Sequence, residues 1–180
     1  MRTQILAVLL TLGLVHGAFA GPQAHCANPP KPSNVFWGTV TRVVDGDTIQ
    51  VRLRNGPSER VRLIGIDTPE VHESEKLERD ARQTGRPKAE IQVLGRLASE
   101  FTKRHLDRKE VELEPDVQTR DRYGRLLAYV WLQDKTLFNM LIIREGYAQV
   151  LTIPPSVRYA DIFLACQREA RAAKRGLWGP

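Results

Sequence analysis

Histidine and cysteine are too few and too scattered in this sequence to build a zinc site: His25, His72 and His105 lie far apart, and Cys26 stands alone. No Gly-x-Ser-x-Gly occurs and no candidate triad, so a serine or cysteine nucleophile is not indicated. Beyond the N-terminus no segment approaches about eighteen uninterrupted apolar residues, the length a membrane span needs. No internal repeat is present. What remains is a chain of 180 residues with 42% apolar content, one domain by length and enough to form a sizeable core. Lys and Arg number 27 against 21 Asp and Glu, a net charge of +6 and a pI near 9.6. That modest excess favours acidic partners such as nucleic acid or an anionic membrane face. Many globular proteins of this size are mildly basic, so the balance alone decides nothing.

The first residues carry a positive start at Arg2, an apolar run from Ile5 to Val15 and the small-residue ending Ala18-Phe19-Ala20. This pattern predicts a secretory signal peptide over 1–20, cleaved after Ala20, and a soluble mature protein that is secreted or periplasmic. Cys26 has His25 and Gln23 before it, not a lipidation box. Residues 21–33 hold four prolines, Pro22, Pro29, Pro30 and Pro32, and read as an extended linker. A single domain is expected over 34–180, with a monomer as the default. An exported chain with an even cysteine count permits a disulfide between Cys26 and Cys166, closing a loop of 140 residues. The entropic model gives such a loop about 4–5 kcal/mol. The alternative is that Cys166 is a small buried hydrophobe in the helical stripe Phe163, Cys166, Ala170, Ala173, Leu177.

Val35 to Val44 is rich in β-branched and aromatic residues and predicts a first strand. Asp45-Gly46 turns the chain, and Ile49, Val51 and Leu53 then alternate with polar residues as a second strand. Asn55-Gly56-Pro57 turns it again into a third strand, Arg60 to Ile66. Three meandering strands with no helix between them suit a small curled barrel. The charged stretch His72 to Lys88 has little to bury and reads as a mobile surface excursion that can carry helical pieces. An amphipathic helix follows from Pro87 to about Leu106, then strands at Glu110–Leu113 and Leu126–Leu132. Helices are expected from about Leu137 to Glu145, stopped by Gly146, and from about Val157 to Arg175. The count is five strands and three helices, an α+β chain that is mainly β.

Three polar turns flank strands of this one sheet: Asp45-Gly46-Asp47-Thr48, Asp67-Thr68-Pro69-Glu70 and Asp121-Arg122-Tyr123-Gly124-Arg125. Each alone is an ordinary turn, and the first lacks the ligand ladder of a calcium-binding helix-loop-helix. Together they supply what phosphodiester chemistry requires. Charge grows on the phosphate oxygens in the transition state, so cations must stand there, and Arg62 offers a planar fork. A hard divalent ion such as Ca²⁺ takes oxygen ligands, which two aspartates and a carbonyl provide while leaving positions open. A further carboxylate can accept the proton of an attacking water.

Val44 to Thr48, Arg62 to Glu70 and Asp121 to Tyr129 resemble, in order, the three signature segments of the thermonuclease (staphylococcal nuclease-like) family. The resemblance runs from about Val35 to Trp178, and Asn139 and Gly146 fit it too. It implies a five-stranded OB-type β-barrel with three helices, and a Ca²⁺-dependent endonuclease that hydrolyses DNA and RNA to 3′-phosphate products. By position Asp47 and Asp67 resemble the calcium ligands, with the Thr68 carbonyl as a third and Asp45 beside the metal. Glu70 resembles the general base, Arg62 and Arg125 the pair that clamps the scissile phosphate, and Arg122 and Tyr123 residues that hold a neighbouring phosphate.

Two departures stand out. Where the family shows tyrosines against which a nucleotide rests, this chain reads Tyr147-Ala148-Gln149-Val150-Leu151-Thr152-Ile153-Pro154, with Tyr159 the substitute at hand. Base stacking there is worth about 1–3 kcal/mol per base. The excursion His72 to Lys88 is longer than the family's loop beside the glutamate. Geometry adds a requirement: Arg62 and Asp67 are five residues apart and would face opposite sides of a regular strand, so a bend is expected at Gly65. The competing readings are a catalytically idle OB-fold nucleic-acid-binding protein and, third, a secreted calcium-stabilised structural protein.

Overall fold

A computed structural model describes residues 24–179; the predicted signal peptide lies outside the described residues. β1 (Phe36–Val43), β2 (Thr48–Leu53) and β3 (Ser58–Leu63) form the antiparallel meander expected from their alternation. β3 then pairs in parallel with β6 (Leu126–Trp131), β6 pairs with β5 (Glu110–Glu114), and β5 returns to β1. The result is a closed barrel in the order β1-β2-β3-β6-β5. Closure leaves no edge and turns one face of every strand inward, so Val40, Ile49, Val51, Val61, Val111 and Val130 are fully buried.

The third strand does not run through to Asp67. It stops at Leu63, turns at Ile64-Gly65, and resumes as β4 (Ile66–Asp67), paired with β7 (Gln149–Val150) in a separate ribbon. Gly65 has φ +79°, and a Cβ there would stand 2.5 Å from the Phe163 ring, so no other residue fits the bend without strain. Asn139, wholly buried in α3 (Phe138–Arg144), holds the same bend: its amide donates to the Ile64 carbonyl (2.8 Å), and its Oδ1 accepts the Val130 N–H (2.9 Å).

Among the described residues four α-helices are present instead of three. The charged excursion carries a complete helix: α1 (Glu75–Thr84) is N-capped by Ser74 and closed by Gly85 in the left-handed region. One apolar side chain, Leu77, anchors it at full burial. α2 (Lys88–Leu106) lies across the acidic turns, and α4 (Ala160–Ala172) packs against α3. The helical stripe ends sooner than its spacing suggests: α4 stops at Ala172, Ala173 is exposed, and Leu177 is buried from a short 3₁₀ turn at Gly176–Trp178.

The proline-rich tail has no regular structure in its described part, yet it is strapped to the domain. Cys26 and Cys166 form a disulfide, Asn28 exchanges hydrogen bonds with Lys135 and Leu137, and Lys31 pairs with Glu112.

Candidate active site

The β2–β3 pairing sets Thr48 opposite Arg62, so Asp47, one residue earlier, stands beside the Arg62 side chain. Asp47 is a hub. Its Oδ2 accepts the Thr68 N–H and the Thr68 hydroxyl, both at 3.0 Å, and its Oδ1 accepts the Thr48 hydroxyl at 3.1 Å. Through these bonds the first acidic turn is locked to the second. The Arg62 guanidinium lies between the carboxylates, its Nη2 3.2 Å from Asp47 and 3.3 Å from Asp67, while its Nη1 donates to the Leu63 and Ile66 carbonyls. The bend at Gly65 is what lets Arg62 and Asp67 meet.

α2 fixes the rest from behind. The Thr102 hydroxyl donates to the Gly46 carbonyl at 2.8 Å, and Gly95 lets the helix come so close that a Cβ there would stand 2.7 Å from the Pro69 carbonyl and 2.8 Å from that of Glu70. Neither residue carries a motif signature. A glycine in mid-helix, costly for propensity alone, was the one available signal of close packing.

On the other side, the parallel register Arg62↔Leu127 places the 121–125 turn next to β3. Asp121 organises it: one carboxylate oxygen accepts the Tyr123 and Arg125 N–H groups at 2.9 Å, and the other accepts Arg125 Nε at 2.7 Å. Burial works against the Asp121 charge, but the bonds from Arg125 and Tyr123 prevail and hold its carboxyl below the usual range. Arg122 stacks on the 67% exposed Tyr123 ring.

All nine residues singled out for chemistry, Asp45, Asp47, Arg62, Asp67, Thr68, Glu70, Arg122, Tyr123 and Arg125, line one groove of about 1130 Å³. Arg42, Arg60, Arg96 and Lys103 line it as well, none with an ion-pair partner among the described residues. The tyrosine wall is replaced. Tyr147 packs on Phe101 at 4.8 Å between ring centroids, and Tyr159 is turned inward with its hydroxyl on Glu114, so it does not substitute. Exposed Leu151 and Ile153 face an adjoining pocket of about 480 Å³ with Tyr123 and Arg122.

The acids crowd one another. Burial and the Asp47 charge push the Asp45 carboxyl up to about 6, and burial raises Asp67 despite the Lys76 and Arg62 charges. Lys76, from α1, was not singled out in the sequence. Its ammonium lies 2.7 Å from the Thr68 carbonyl, 3.1 Å from Asp67 and 3.4 Å from Glu70. No group of three or more His, Cys, Asp or Glu side chains poised for a metal occurs among the described residues. The expected set has two carboxylates and a main-chain carbonyl, and the ammonium shows that Asp67 and Thr68 direct oxygens at one cation position. Hard oxygen donors with an acid excess fit a hard divalent cation.

Comparison with known proteins places the chain among nucleases. A family model described as staphylococcal nuclease homologue matches residues 60–180. The chain is 42% identical over 139 residues to a thermonuclease of Staphylococcus intermedius, covering 77% of this chain and 74% of that one. It is 41% identical over 139 residues to a thermonuclease of Staphylococcus hyicus, covering 77% and 73%. Endonuclease YncB of Bacillus subtilis is 35% identical over 156 residues, covering 86% of this chain and 65% of its own.

Proposed function

This chain belongs to the staphylococcal nuclease homologue family, a phosphodiester hydrolase of that type, and on that premise we propose that it is an exported, Ca²⁺-dependent endonuclease acting on DNA and RNA as a monomer. The observation that carries the reading is the single groove in which the acidic turns, Arg62 and the Arg125 turn meet.

Asp47, Asp67 and the Thr68 carbonyl would hold the cation, which when bound supplies positive charge beside the scissile phosphate. Glu70 accepts the proton of the attacking water, which forms the new bond to phosphorus. Arg62 and Arg125 donate to the non-bridging oxygens as their charge grows. The bond to the 5′-oxygen breaks, that oxygen takes a proton from solvent, and the phosphate stays on the 3′ side. Arg122 and Tyr123 hold a neighbouring phosphate. Arg42, Arg60, Arg96 and Lys103, which pair with no acid among the described residues, suit a polyanion that runs past the cut, in either sugar. Export is supported by the Met1–Ala20 pattern and by the disulfide.

The test is digestion of plasmid DNA and of RNA with Ca²⁺ or with chelator, followed by end-group analysis. The expected result is endonucleolytic cleavage that chelator abolishes, with 3′-phosphate ends. Cleavage indifferent to chelator removes the metal from the mechanism, and tight binding without cleavage leaves only an OB-fold binder.

A further inference from the structure

Lys76 reaches the acidic cluster because α1 is a formed helix. The Ser74 hydroxyl accepts the Leu77 N–H at 3.1 Å, Leu77 seals the first turn against the domain, and Lys88 pairs with Glu73 and Glu78 to close the excursion on itself. Held this way, the Lys76 ammonium touches three oxygens: the Thr68 carbonyl, Asp67 Oδ1 and Glu70 Oε1. Two of them belong to residues assigned above to the cation, and the third to the residue assigned as base.

A divalent ion bound to the same two oxygens at about 2.3–2.6 Å leaves no room for an ammonium donating to both. Mutual repulsion of the two cations at such a separation adds to the conflict. The side chain, four methylenes on a helix at the groove rim, has the freedom to leave.

We propose that Lys76 is a tethered competitor for the divalent cation: it neutralises the acids in the metal-free protein, must swing away for the ion to enter, and thereby sets the metal affinity. The inference rests on the reading of Asp67 and Thr68 as cation ligands. It also gives the excursion a role, because a loop without α1 could not present an ammonium at this point. Withdrawal of Lys76 frees Glu70 from its ion pair at the moment the metal arrives.

The experiment is calorimetric titration of CaCl₂ into the purified protein at fixed pH and ionic strength, without nucleic acid. Lys76→Met, which keeps the length and removes the charge, should bind Ca²⁺ about tenfold tighter than the parent protein, the scale of one displaced ion pair. Lys76→Arg should stay close to the parent affinity. Lys88→Met, which removes a charge from the same excursion away from the acids, should also leave it unchanged. In chelator Lys76→Met should melt at a lower temperature than the parent protein, and saturating Ca²⁺ should close the gap. Equal or weaker Ca²⁺ binding by Lys76→Met overturns the competition and leaves the nuclease reading intact. Binding of Ca²⁺ by neither protein overturns both.

Discussion

Two acidic clusters sit on this barrel, and they are built on opposite terms. In one, Glu114 is buried to 1% exposure at the end of β5 and both its oxygens are engaged: Trp131 Nε1 donates at 2.7 Å, the Tyr159 hydroxyl lies within reach of both oxygens, and Arg158 pairs with it. Asp116 beside it accepts the Tyr129 hydroxyl and the Val117 and Arg158 N–H groups. In the other, Asp47, Asp67 and Glu70 share one guanidinium and one ammonium, Asp45 has no ion-pair partner among the described residues, all four line an open groove, and burial raises the carboxyls of Asp45 and Asp67. A cluster whose donors come from its own chain is a structural joint. A cluster whose acids are incompletely paired and open to solvent is arranged for something from outside. Both clusters hold carboxylates and cations, so sequence proximity of acids does not separate them; saturation does.

The largest effect that would break this contrast is at Glu70, whose one ion-pair partner among the described residues is Lys76. Glu70→Gln should lower turnover by about 10²–10⁴-fold, the usual contribution of a general base, with melting temperature unchanged. A variant that kept its rate would return the open cluster to the structural class. Next comes Gly95: its replacement by Val drives a side chain into the Pro69 and Glu70 carbonyls and should cost about 10²-fold in rate by shifting the base, with substrate affinity less affected. Glu114→Gln should act the other way round. Its new amide NH₂ must face either the Arg158 guanidinium or the Trp131 indole N–H, leaving a donor unmatched, so stability should fall by about 1–3 kcal/mol in denaturant titration while the rate per folded molecule holds.

The barrel was legible because its strands alternate cleanly and its turns are Asp-Gly and Asn-Gly, and the bend at Gly65 followed from a parity argument on Arg62 and Asp67. α1 was not legible from periodicity, since it buries one residue, Leu77, and is otherwise charged on all sides. Its signals were the terminal ones: Ser74 as cap, Glu75 and Glu78 in the first turn, Arg82 in the last, Gly85 beyond. Lys76 was therefore out of view, because its role depends on where a helix points. Thr102 and Asn139 show the same limit. Each is a polar residue on a helix whose buried partner is a main-chain carbonyl in a distant turn, a pairing that composition cannot reveal.

The smallest effect, and the finest test of the contrast, is at Asp121, which belongs to neither cluster in full: its partners come from its own turn, as in the structural joint, yet the residue it aims, Arg125, lines the groove. Asp121→Asn keeps an acceptor for the backbone bonds and loses the charge that holds Arg125. Turnover should fall by about tenfold, less than a full misplacement costs, because the turn itself persists. The pH dependence carries the sign of a lowered carboxyl. Its folded pKa lies below the unfolded value, so its stabilising contribution is present above about pH 4 and disappears as acid titrates it below that. Parent and variant should therefore differ in melting temperature at pH 7 and converge as the pH falls through the lowered folded value. A gap that persisted at low pH would mean that the Arg125 ion pair is not what Asp121 contributes, and that the turn is held by its backbone bonds alone.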